Sequence, residues 1–483
     1  MVQPLQINRQ YISDLIGKFS DFSRKKDDSG NALRGTTRLA YSDEEKAAAC
    51  FLRNEFKRMG LYSPRDFAGN MYGIRKGDGR PSAILTGSHL DTVWEGGNYD
   101  GAVGVVCALA VMDSLQRSNA KTKNAIAAVG WRGEESVSFG FPYVGASAAL
   151  DFIDTEKLLR EHKFISGTLL SRLTRLNKNR LGDFGFSYDE IYNAQSNEQL
   201  AGKFLKALQS MQLLVQNLSA YLEVHIEQGP VLEKEGMLSA VSAISGNYRF
   251  TVNFLGEADH SGAMPMNYRM DAGFAAAELA LEFERLAASM NSPDDHQKLR
   301  ELRISPVEMK TVQGGPTTVA WNMQVSFDVR SCENEKLAAF RQKAAGIADA
   351  IAARRGVSIK ISPKTPNSPI EESVSLGHPL ISSIQEEVLS ARGASRIFMP
   401  SGAGHDAKLF AKAGVPTGMY FIPCKDGRSH RPDEFSSTDD ILVGAEVLQE
   451  TIMKLDECTP RNGSDAISAG KPSCIFKSVP EGI

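Results

Sequence analysis

The apolar residues in the first third of the chain follow helical and extended spacings in alternation. Residues 7–20 and 44–60 have the spacing of amphipathic helices. Residues 83–88 and 125–131 are short apolar runs typical of buried strands, and the apolar stretch 102–116 between them is long enough for a buried helix. Strands that alternate with helices in this way predict an α/β fold with a mixed, mainly parallel sheet flanked by helices.

A second pattern begins near residue 243, where extended and helical segments follow in the order β-α-β-β-α-β. The segments are 248–255, 270–290, 303–312, 323–330, 333–355 and 357–362. This order is typical of a compact α+β sandwich with an antiparallel sheet. Because α/β character resumes afterwards, we expect this unit to be inserted into the first domain.

The chain is therefore predicted to form a split α/β domain and an inserted α+β domain. Residues 1–242 and 366–458 are the two parts of the split domain, and residues 243–365 are the insertion. Residues 151–220 are polar, rich in Lys and Arg and helix-prone, which predicts a connecting helical segment. Residues 459–483 lack periodicity, which predicts a flexible tail.

Composition narrows the class of protein. The 483 residues include 55 Lys and Arg against 58 Asp and Glu, and 42% of them are hydrophobic. A pI near 6.3 argues against a strongly basic nucleic-acid binder, and the apolar content argues against disorder. The sequence contains no run of about 18 apolar residues, so it predicts no membrane-spanning helix. The six cysteines are scattered and the first residues do not resemble a secretory signal, so we expect a cytoplasmic protein.

Polar residues with metal-ligand chemistry follow the two predicted strands of the first domain. His89 and Asp91 come at the end of one strand, where open α/β sheets bind ligands. On a strand, their spacing puts both on the same side, so that Asp91 could orient the imidazole while its other nitrogen binds a metal. A histidine in a surface turn is the alternative interpretation.

Two acidic motifs lie nearby in sequence. Asp100 ends a Gly-rich turn that opens a helix, so it is either a helix N-cap or a carboxylate that bridges two cations. Glu134 and Glu135 follow the second strand, where acidic pairs are costly unless they are solvated, paired or coordinated. Adjacent side chains point in different directions, which allows one to bind metal and the other to move protons.

Two histidines occur later in the chain. On a strand, Glu223, His225 and Glu227 would share one face, and three polar groups there are hard to explain as core packing. His430 lies in the turn of the segment Asp-Gly-Arg-Ser-His and is a surface histidine by default.

Nitrogen and oxygen ligands without sulfur suit zinc, manganese, cobalt or nickel better than magnesium or calcium. Five such candidates fit two metals that share one carboxylate, as in two-metal hydrolytic centres. They are His89, Asp100, Glu135, His225 and His430. The sequence has no phosphate-binding loop, no GxSxG elbow and no dinucleotide fingerprint after a strand.

Six motifs in order resemble the hydantoinase/carbamoylase branch of the di-zinc aminoacylase–carboxypeptidase superfamily, peptidase family M20. They are GSHLDTV, GGNYDGAVGV, EVHIEQGPVLE, DHSGAMPM, MPSGAGHDA and DGRSH. The resemblance runs from about residue 37 to about residue 455. That branch includes N-carbamoyl-L-amino-acid hydrolases, β-ureidopropionase and allantoate amidohydrolase.

The resemblance implies a split catalytic domain, an inserted lid that also forms a homodimer, and two divalent metals per subunit, zinc first among them. It implies that His89, Asp100 and His225 hold one metal and that Asp100, Glu135 and His430 hold the other. Glu134 resembles the general acid/base. His260 resembles the group that stabilises the oxyanion, and in the family it reaches the partner subunit's site; a surface hairpin residue is the alternative.

The resemblance also implies residues around the substrate. Arg330 looks like the anchor for a substrate carboxylate, although it could simply pair with Asp328. The other implied substrate contacts are Gln228, Arg269, Thr317, Gly402, Ala403 and Gly404. The implied supporting residues are Asp91, His405 and Asp406.

Two departures bear on the substrate. Ser136 follows Glu135 where the family usually has Gly, and residues 317–321 replace its Asn-x-x-Pro-Gly stretch, so Thr317 stands at the substrate-binding Asn. We expect a hydrolase that cleaves an N-carbamoyl-L-amino acid to the amino acid, ammonia and carbon dioxide. The alternatives are an allantoate amidohydrolase, an N-acyl-amino-acid hydrolase or a dipeptidase with the same centre, and, remotely, a non-catalytic metabolite-binding homologue. No nucleic-acid or membrane partner is expected.

Overall fold

The computed structural model describes residues 5–458 except 81, 179–197, 199–200, 203, 206–217, 236, 298, 314, 364–369 and 395. The predicted tail 459–483 and the second half of the predicted connecting segment 151–220 lie almost wholly outside the described residues.

Within the described ranges the elements follow one another from residue 9 to residue 458. The helices are α1 (Arg9–Asp21), α2 (Asp43–Arg58), α3 (Ala102–Arg117), α4 (Val144–Ala149), α5 (Thr155–Leu158), α6 (Leu169–Leu176), α7 (Val231–Glu235), α8 (Ala272–Ser289), α9 (Pro293–Gln297), α10 (Asn334–Arg355), α11 (Pro379–Ala391), α12 (Ala407–Lys412) and α13 (Thr438–Cys458). The strands are β1 (Met71–Arg75), β2 (Ala83–His89), β3 (Ala125–Trp131), β4 (Leu218–Ile226), β5 (Ser239–Ile244), β6 (Gly246–Leu255), β7 (Arg303–Gln313), β8 (Asn322–Ser331), β9 (Ser358–Pro363), β10 (Val374–Ser375), β11 (Phe398–Ser401) and β12 (Thr417–Ile422).

The chain forms two compact units. The first contains the described parts of Met1–Val241, Leu376–Phe398 and His405–Ile483, and the second contains those of Ser242–Ser375 and Met399–Gly404. None of the helices in the described ranges has the length and hydropathy that crossing a bilayer requires.

The sheet of the first unit has the strand order β1-β3-β2-β4-β12-β5. The pairs β2–β3, β2–β4 and β4–β12 are parallel, whereas β1 and β5 are antiparallel to their neighbours β3 and β12. The predicted mixed, mainly parallel sheet flanked by helices is therefore confirmed. Every residue of β2 is buried, because helices cover the central strands of such a sheet on both faces.

The apolar helix predicted at 102–116 packs within the core of this unit. Residues from Ala102 to Leu115 of α3 are all buried, and α3 contacts α1, α13 and β2. Burial of so many apolar side chains is the main term that stabilises this layer, at about 25 cal/mol per Å² of apolar surface removed from water.

The second unit contains an antiparallel sheet in the order β7-β8-β6-β9, with α8 and α10 packed against it. Along β6, the buried residues Tyr248, Phe250, Val252 and Phe254 alternate with partly exposed ones, as the period-two pattern predicted. The order β-α-β-β-α-β is confirmed, with the short helix α9 as an addition before β7.

Candidate metal centre

Asp100 lies at the middle of a cluster of three histidines in the first unit. Its Oδ1 is 3.0 Å from Nε2 of His225 and 3.4 Å from Nε2 of His89. Its Oδ2 is 3.2 Å from Nε2 of His430, which is also 3.0 Å from Oε1 of Glu135. Each oxygen of one carboxylate thus faces a different group of ligands.

These residues form two groups that could each hold a metal ion, and the groups share Asp100. One is His89, Asp100 and His225, and the other is Asp100, Glu135 and His430; within each, the ligand atoms lie within 4.8 Å of one another. The structure thus brings together all five ligand candidates of the sequence.

The parallel register of the sheet explains why residues so far apart in sequence meet. His89 ends β2 and lies opposite Trp131, the last residue of β3, so Glu134 and Glu135 follow at the same edge. His225 lies near the end of β4, opposite Phe421 of β12. Carboxyl ends of parallel strands meet at one edge of a sheet, which is where such folds bind ligands.

Asp100 reaches the centre because the backbone turns sharply after it. Gly101 has a φ of +67°, and a Cβ at this position would overlap the imidazole ring of His89. Helix α3 begins at Ala102 with Gly101 as its N-cap and without a side-chain cap. The N-cap interpretation of Asp100 is therefore wrong, and its carboxylate is turned towards the histidines instead.

The rings of two histidines are oriented for a cation. Nδ1 of His89 is 3.0 Å from the carbonyl oxygen of Asp91, and Nδ1 of His225 is 2.9 Å from that of Ile226. A carbonyl can only accept, so each Nδ1 carries a hydrogen and each Nε2, on the side of Asp100, is the nitrogen left to bind a metal. The orientation and the nitrogen and oxygen donors fit divalent metals such as zinc or manganese.

Asp91 has a second role besides the one its sequence spacing predicted. Strand β2 ends at His89, so the period of two does not extend to Asp91, and its carboxylate lies 3.5 Å from Nδ1 of His89. Its two oxygens also accept the backbone N–H groups of Glu134 and Glu135 at 2.9 and 3.0 Å. Asp91 thus supports the turn that carries both acidic residues.

The protonation of the cluster is strongly perturbed by burial and by neighbouring charge. Although burial opposes it, His225, His430 and His89 hold the pKa of Asp100 well below its usual range. The negative charge of Glu135, followed by Asp100, raises the pKa of His430 to about 11. Burial, together with the charges of Glu135 and other carboxylates, raises the pKa of Glu134 well above its usual value. Cations that bind here must compete with these protons.

Sequence reasoning missed Glu434. Its Oε1 accepts the backbone N–H groups of Tyr99 and Asp100, both at 2.9 Å. Its Oε2 is 2.9 Å from Oγ of Ser429, which is in turn 2.8 Å from Oδ2 of Asp100. Burial, and then the charge of Asp100, raises the pKa of Glu434 to about 7. Its one sequence signal was its place four residues after His430.

Gln228 lies beside the shared carboxylate. Its Nε2 is 2.6 Å from Oδ2 of Asp100 and 3.2 Å from Oγ of Ser429. Its Oε1 is buried and meets no hydrogen-bond donor among the described residues. A buried acceptor of this kind is suited to a donor from outside the chain.

The other two polar residues of the β4 motif are not among the candidate ligands. Glu223 accepts hydrogen bonds from the hydroxyl of Ser88 at 2.7 Å and from the N–H of Ala407 at 2.9 Å. Glu227 lies beyond the end of β4 and accepts the N–H groups of Val231 and Leu232 at the start of α7. The shared strand face predicted for these residues therefore ends at His225.

The two predicted supporting residues at the start of α12 lie close to the ligands. The ring of His405 packs edge-on against His225, with centroids 4.5 Å apart. Both carboxylate oxygens of Asp406 are buried and have no hydrogen-bond partner in the described part of the chain. Burial, and then the charge of Glu223, raises the pKa of Asp406 well above its usual value.

The remaining predicted site residues belong to the second unit. Arg330 contacts the carboxylate of Asp328, with Nη2 at 3.0 Å, and donates through Nη1 to the carbonyl of Gly402 at 3.1 Å. The pairing with Asp328 is therefore present. Ala403 contacts Oγ of Ser401 through its N–H, and Gly404 ends this segment of the unit.

His260 and Thr317 lie together in the second unit. His260 is exposed and forms an isolated antiparallel bridge with Thr318, and the carbonyl of Thr317 accepts the N–H of Ser261 at 2.8 Å. Arg269 donates to the carbonyls of Ser261 and Met264.

Comparisons with known proteins identify the relatives of this architecture. The model of Peptidase family M20/M25/M40 matches residues 85–454. The chain is 28% identical over 456 residues to an N-carbamoyl-L-amino-acid amidohydrolase of Pseudomonas sp. (strain NS671), covering 94% of this chain and 100% of that protein. It is 30% identical over 462 residues to a ureidoglycolate hydrolase of Arabidopsis thaliana, covering 94% and 88%. The crystal structure of a hydantoinase/carbamoylase family amidase from Burkholderia multivorans has the same fold, with a TM-score of 0.74 at 23% identity over 94% and 99% of the two chains.

Proposed function

The chain belongs to peptidase family M20/M25/M40, and from that premise we propose that it is a metal-dependent amidohydrolase that cleaves a linear C–N bond in an N-carbamoyl-L-amino acid. The family resemblance stated from the motifs is confirmed by the match. The substrate, the number and kind of metals, the homodimer and the cytoplasmic location are parts of the proposal.

The observation that carries the proposal is the position of Asp100 between two groups of ligands. One carboxylate with an oxygen towards each group is the arrangement that holds two cations side by side. We assign one metal to His89, Asp100 and His225 and the other to Asp100, Glu135 and His430. Divalent metals at these positions would supply Lewis acidity, which polarises a carbonyl and makes a water more acidic.

Glu134 is the proton carrier of this centre. It belongs to neither group of ligands, yet its Oε2 lies 4.0 Å from Nε2 of His89. A buried carboxylate with a raised pKa can take a proton from water as the water oxygen attacks the ureido carbonyl carbon. It then gives that proton to the leaving nitrogen as the C–N bond breaks. This cleavage leaves a carbamic acid, whose remaining C–N bond breaks spontaneously in water, so the final products are the amino acid, ammonia and carbon dioxide.

In this proposal most substrate contacts come from residues of the second unit, and Gln228 of the first unit adds one. Arg330 binds the substrate carboxylate, because its planar guanidinium can donate two parallel hydrogen bonds to a carboxylate. The substrate then replaces the present contacts of Arg330 with Asp328 and with the carbonyl of Gly402. His260 donates a hydrogen bond to the developing oxyanion, reaching the centre of the partner subunit. Gln228 positions the substrate through its buried Oε1. The backbone of residues 402–404 and the Thr317 hydroxyl complete the set.

A panel of substrates on metal-loaded enzyme tests the proposal. N-carbamoyl-L-amino acids, allantoate, ureidoglycolate, N-acetyl-L-amino acids and dipeptides are offered at equal concentration, and product is followed after chelation and after readdition of Zn²⁺, Mn²⁺, Co²⁺ or Ni²⁺. We expect hydrolysis of N-carbamoyl-L-amino acids that chelation abolishes and metal restores. Faster turnover of allantoate or ureidoglycolate would make that compound the assigned substrate in place of an N-carbamoyl-L-amino acid. Full activity without metal would overturn the proposal.

A further inference from the structure

The turn that carries His260 is held by a network of hydrogen bonds inside the second unit. The N–H of Met264 donates to the carbonyl of His260 at 3.0 Å, which closes the turn. The N–H of Ser261 donates to the carbonyl of Thr317 at 2.8 Å, and the N–H of Val319 donates to that of Asp259 at 2.9 Å. The residues on either side of His260 are therefore tied to the segment 317–319.

The imidazole of His260 is held in one tautomer by this turn. The backbone N–H groups of Gly262 and Ala263 both point to its Nδ1, each at 3.1 Å. Two donors on one ring nitrogen require a lone pair there, so the hydrogen of the neutral ring is on Nε2. The exposed ring thus presents an N–H donor.

Arg269 binds two carbonyl groups of the turn. Its Nε is 2.9 Å from the carbonyl oxygen of Met264, and its Nη2 is 2.8 Å from the same oxygen and 2.5 Å from that of Ser261. The Nε–Nη2 edge of a guanidinium can donate two hydrogen bonds to a carboxylate. In Arg269 both donors of this edge already bond to backbone carbonyls of the turn.

We propose that Arg269 is a positioning residue that holds the Ser261–Met264 turn so that His260 presents its Nε2–H, and that it does not bind the substrate. The Ser261 carbonyl belongs to the same peptide group as the Gly262 N–H, so Arg269 fixes one of the two donors to Nδ1 of His260 directly. Its contact with the Met264 carbonyl holds the residue that follows the other donor, Ala263. The importance of this donor for catalysis rests on the proposed function, because a donor to an oxyanion must be oriented before the reaction begins. The tautomer itself does not depend on that function.

The test compares Arg269→Met and Arg269→Lys with the control Arg285→Met. Arg285 is an exposed arginine of α8 in the same unit that contacts Glu282 of its own helix. Three measurements are made on metal-loaded full-length protein: metal content, hydrogen exchange of the peptide 260–266 by mass spectrometry, and ring ¹⁵N signals of deuterated, ¹⁵N-histidine-labelled protein. The His260 signals are assigned with His260→Gln.

We expect Arg269→Met to keep the metal content of the wild type while hydrogen exchange in the turn accelerates and the His260 signals shift to a mixture of tautomers. Its kcat should fall roughly 10–100-fold with KM within about threefold, because a displaced catalytic group costs rate rather than binding. Arg269→Lys, which keeps one donor to the carbonyls, should recover part of each effect. Arg285→Met should match the wild type.

Two outcomes would overturn the proposal. One is an unchanged tautomer and unchanged exchange in Arg269→Met. The other is a KM raised more than about tenfold with an undisturbed turn, which would make Arg269 a substrate ligand. If no panel substrate is hydrolysed, the proposed function fails, while the tautomer and exchange measurements still decide the role of Arg269. Misfolding of Arg269→Met leaves the decision to Arg269→Lys, for which an unaltered turn, tautomer and kcat would count against the proposal.

Discussion

Glu434 accepts the backbone N–H of Asp100 at 2.9 Å although the two residues are 334 positions apart in sequence. The same oxygen accepts the N–H of Tyr99, so the peptide that leads into the shared carboxylate is held at two adjacent points. Asp100 can face both groups of ligands because the side chain of Glu434, distant in sequence but adjacent in space, fixes its backbone.

This relationship predicts that Glu434 is needed for metal binding. Glu434→Leu would leave two backbone N–H groups without this acceptor, the buried one of Asp100 and the partly buried one of Tyr99, and loss of a buried partner costs about 1–3 kcal/mol. We expect the purified variant to hold fewer metal ions per chain than the wild type and to unfold at a lower temperature, with metal content measured by elemental analysis. The control is Glu386→Leu, at an exposed position of α11. Wild-type metal content in Glu434→Leu would contradict this role.

Glu134 and Glu135 are adjacent, yet we expect their amide variants to behave differently. Glu134→Gln should keep wild-type metal content while kcat falls by roughly 10²–10⁴, because Glu134 lies outside both ligand groups and is the proposed proton carrier. Glu135→Gln should lose metal from the group that contains His430. Elemental analysis and steady-state kinetics on the same preparations separate the two roles. Near-normal turnover in Glu134→Gln would show that another group moves the proton.

The proposed dimer predicts complementation between inactive chains. If His260 acts in the partner subunit's site, a mixed dimer of His260→Ala and Glu134→Gln chains contains one site with both defects and one with neither. Random exchange in equal amounts makes about half of the dimers mixed, so activity should rise towards about a quarter of wild type. Subunit exchange is verified separately with two affinity tags. Exchange without recovered activity would place His260 in its own subunit's site.

The buried side chain of His162 should make the stability of the metal-free protein depend on pH. Its Nε2 is 2.9 Å from the carbonyl of Ala40, and its Nδ1 accepts the N–H groups of Phe164 and Ile165, so the buried ring is neutral. Burial lowers the pKa of His162 to about 4. Since the unfolded chain has a histidine pKa of about 6.5, it takes up this proton first, and the folded state loses stability as the pH falls from about 6.5 to about 4.

The measurement compares wild type with His162→Gln, whose amide can still donate to Ala40. We expect the stability advantage of the wild type in urea unfolding to be largest above pH 7 and to shrink by on the order of 1–2 kcal/mol by pH 5. Other groups that titrate, including the candidate ligands, affect both proteins alike and cancel in the difference. An advantage that is the same at both values of pH would mean that His162 is not held neutral.

Much of this protein follows from patterns that a sequence shows directly. The alternation of strands and helices predicted the mixed, mainly parallel sheet, because burial of each element requires a periodic apolar face. The place of His89 at a strand end, and of Glu134 and Glu135 just after another, predicted their proximity, because parallel strands bring their carboxyl ends to one edge. The ligand chemistry also follows from residue type alone.

Other features were decided only by the tertiary structure. The period-two spacing does not extend to Asp91 or Glu227, because each lies just beyond the end of its strand, where the side-chain alternation stops. The loop geometry alone decides that the Asp91 carboxylate still lies 3.5 Å from Nδ1 of His89. The positive φ of Gly101 turns Asp100 away from the cap position and towards the histidines. Glu434 and Arg269 contact backbone atoms far from them in the chain or across a turn: Glu434 accepts from residues 99 and 100, and Arg269 donates to the carbonyls of residues 261 and 264. Such contacts have no period and no required spacing along the chain, because the fold alone determines which backbone groups come within 3 Å of a side chain.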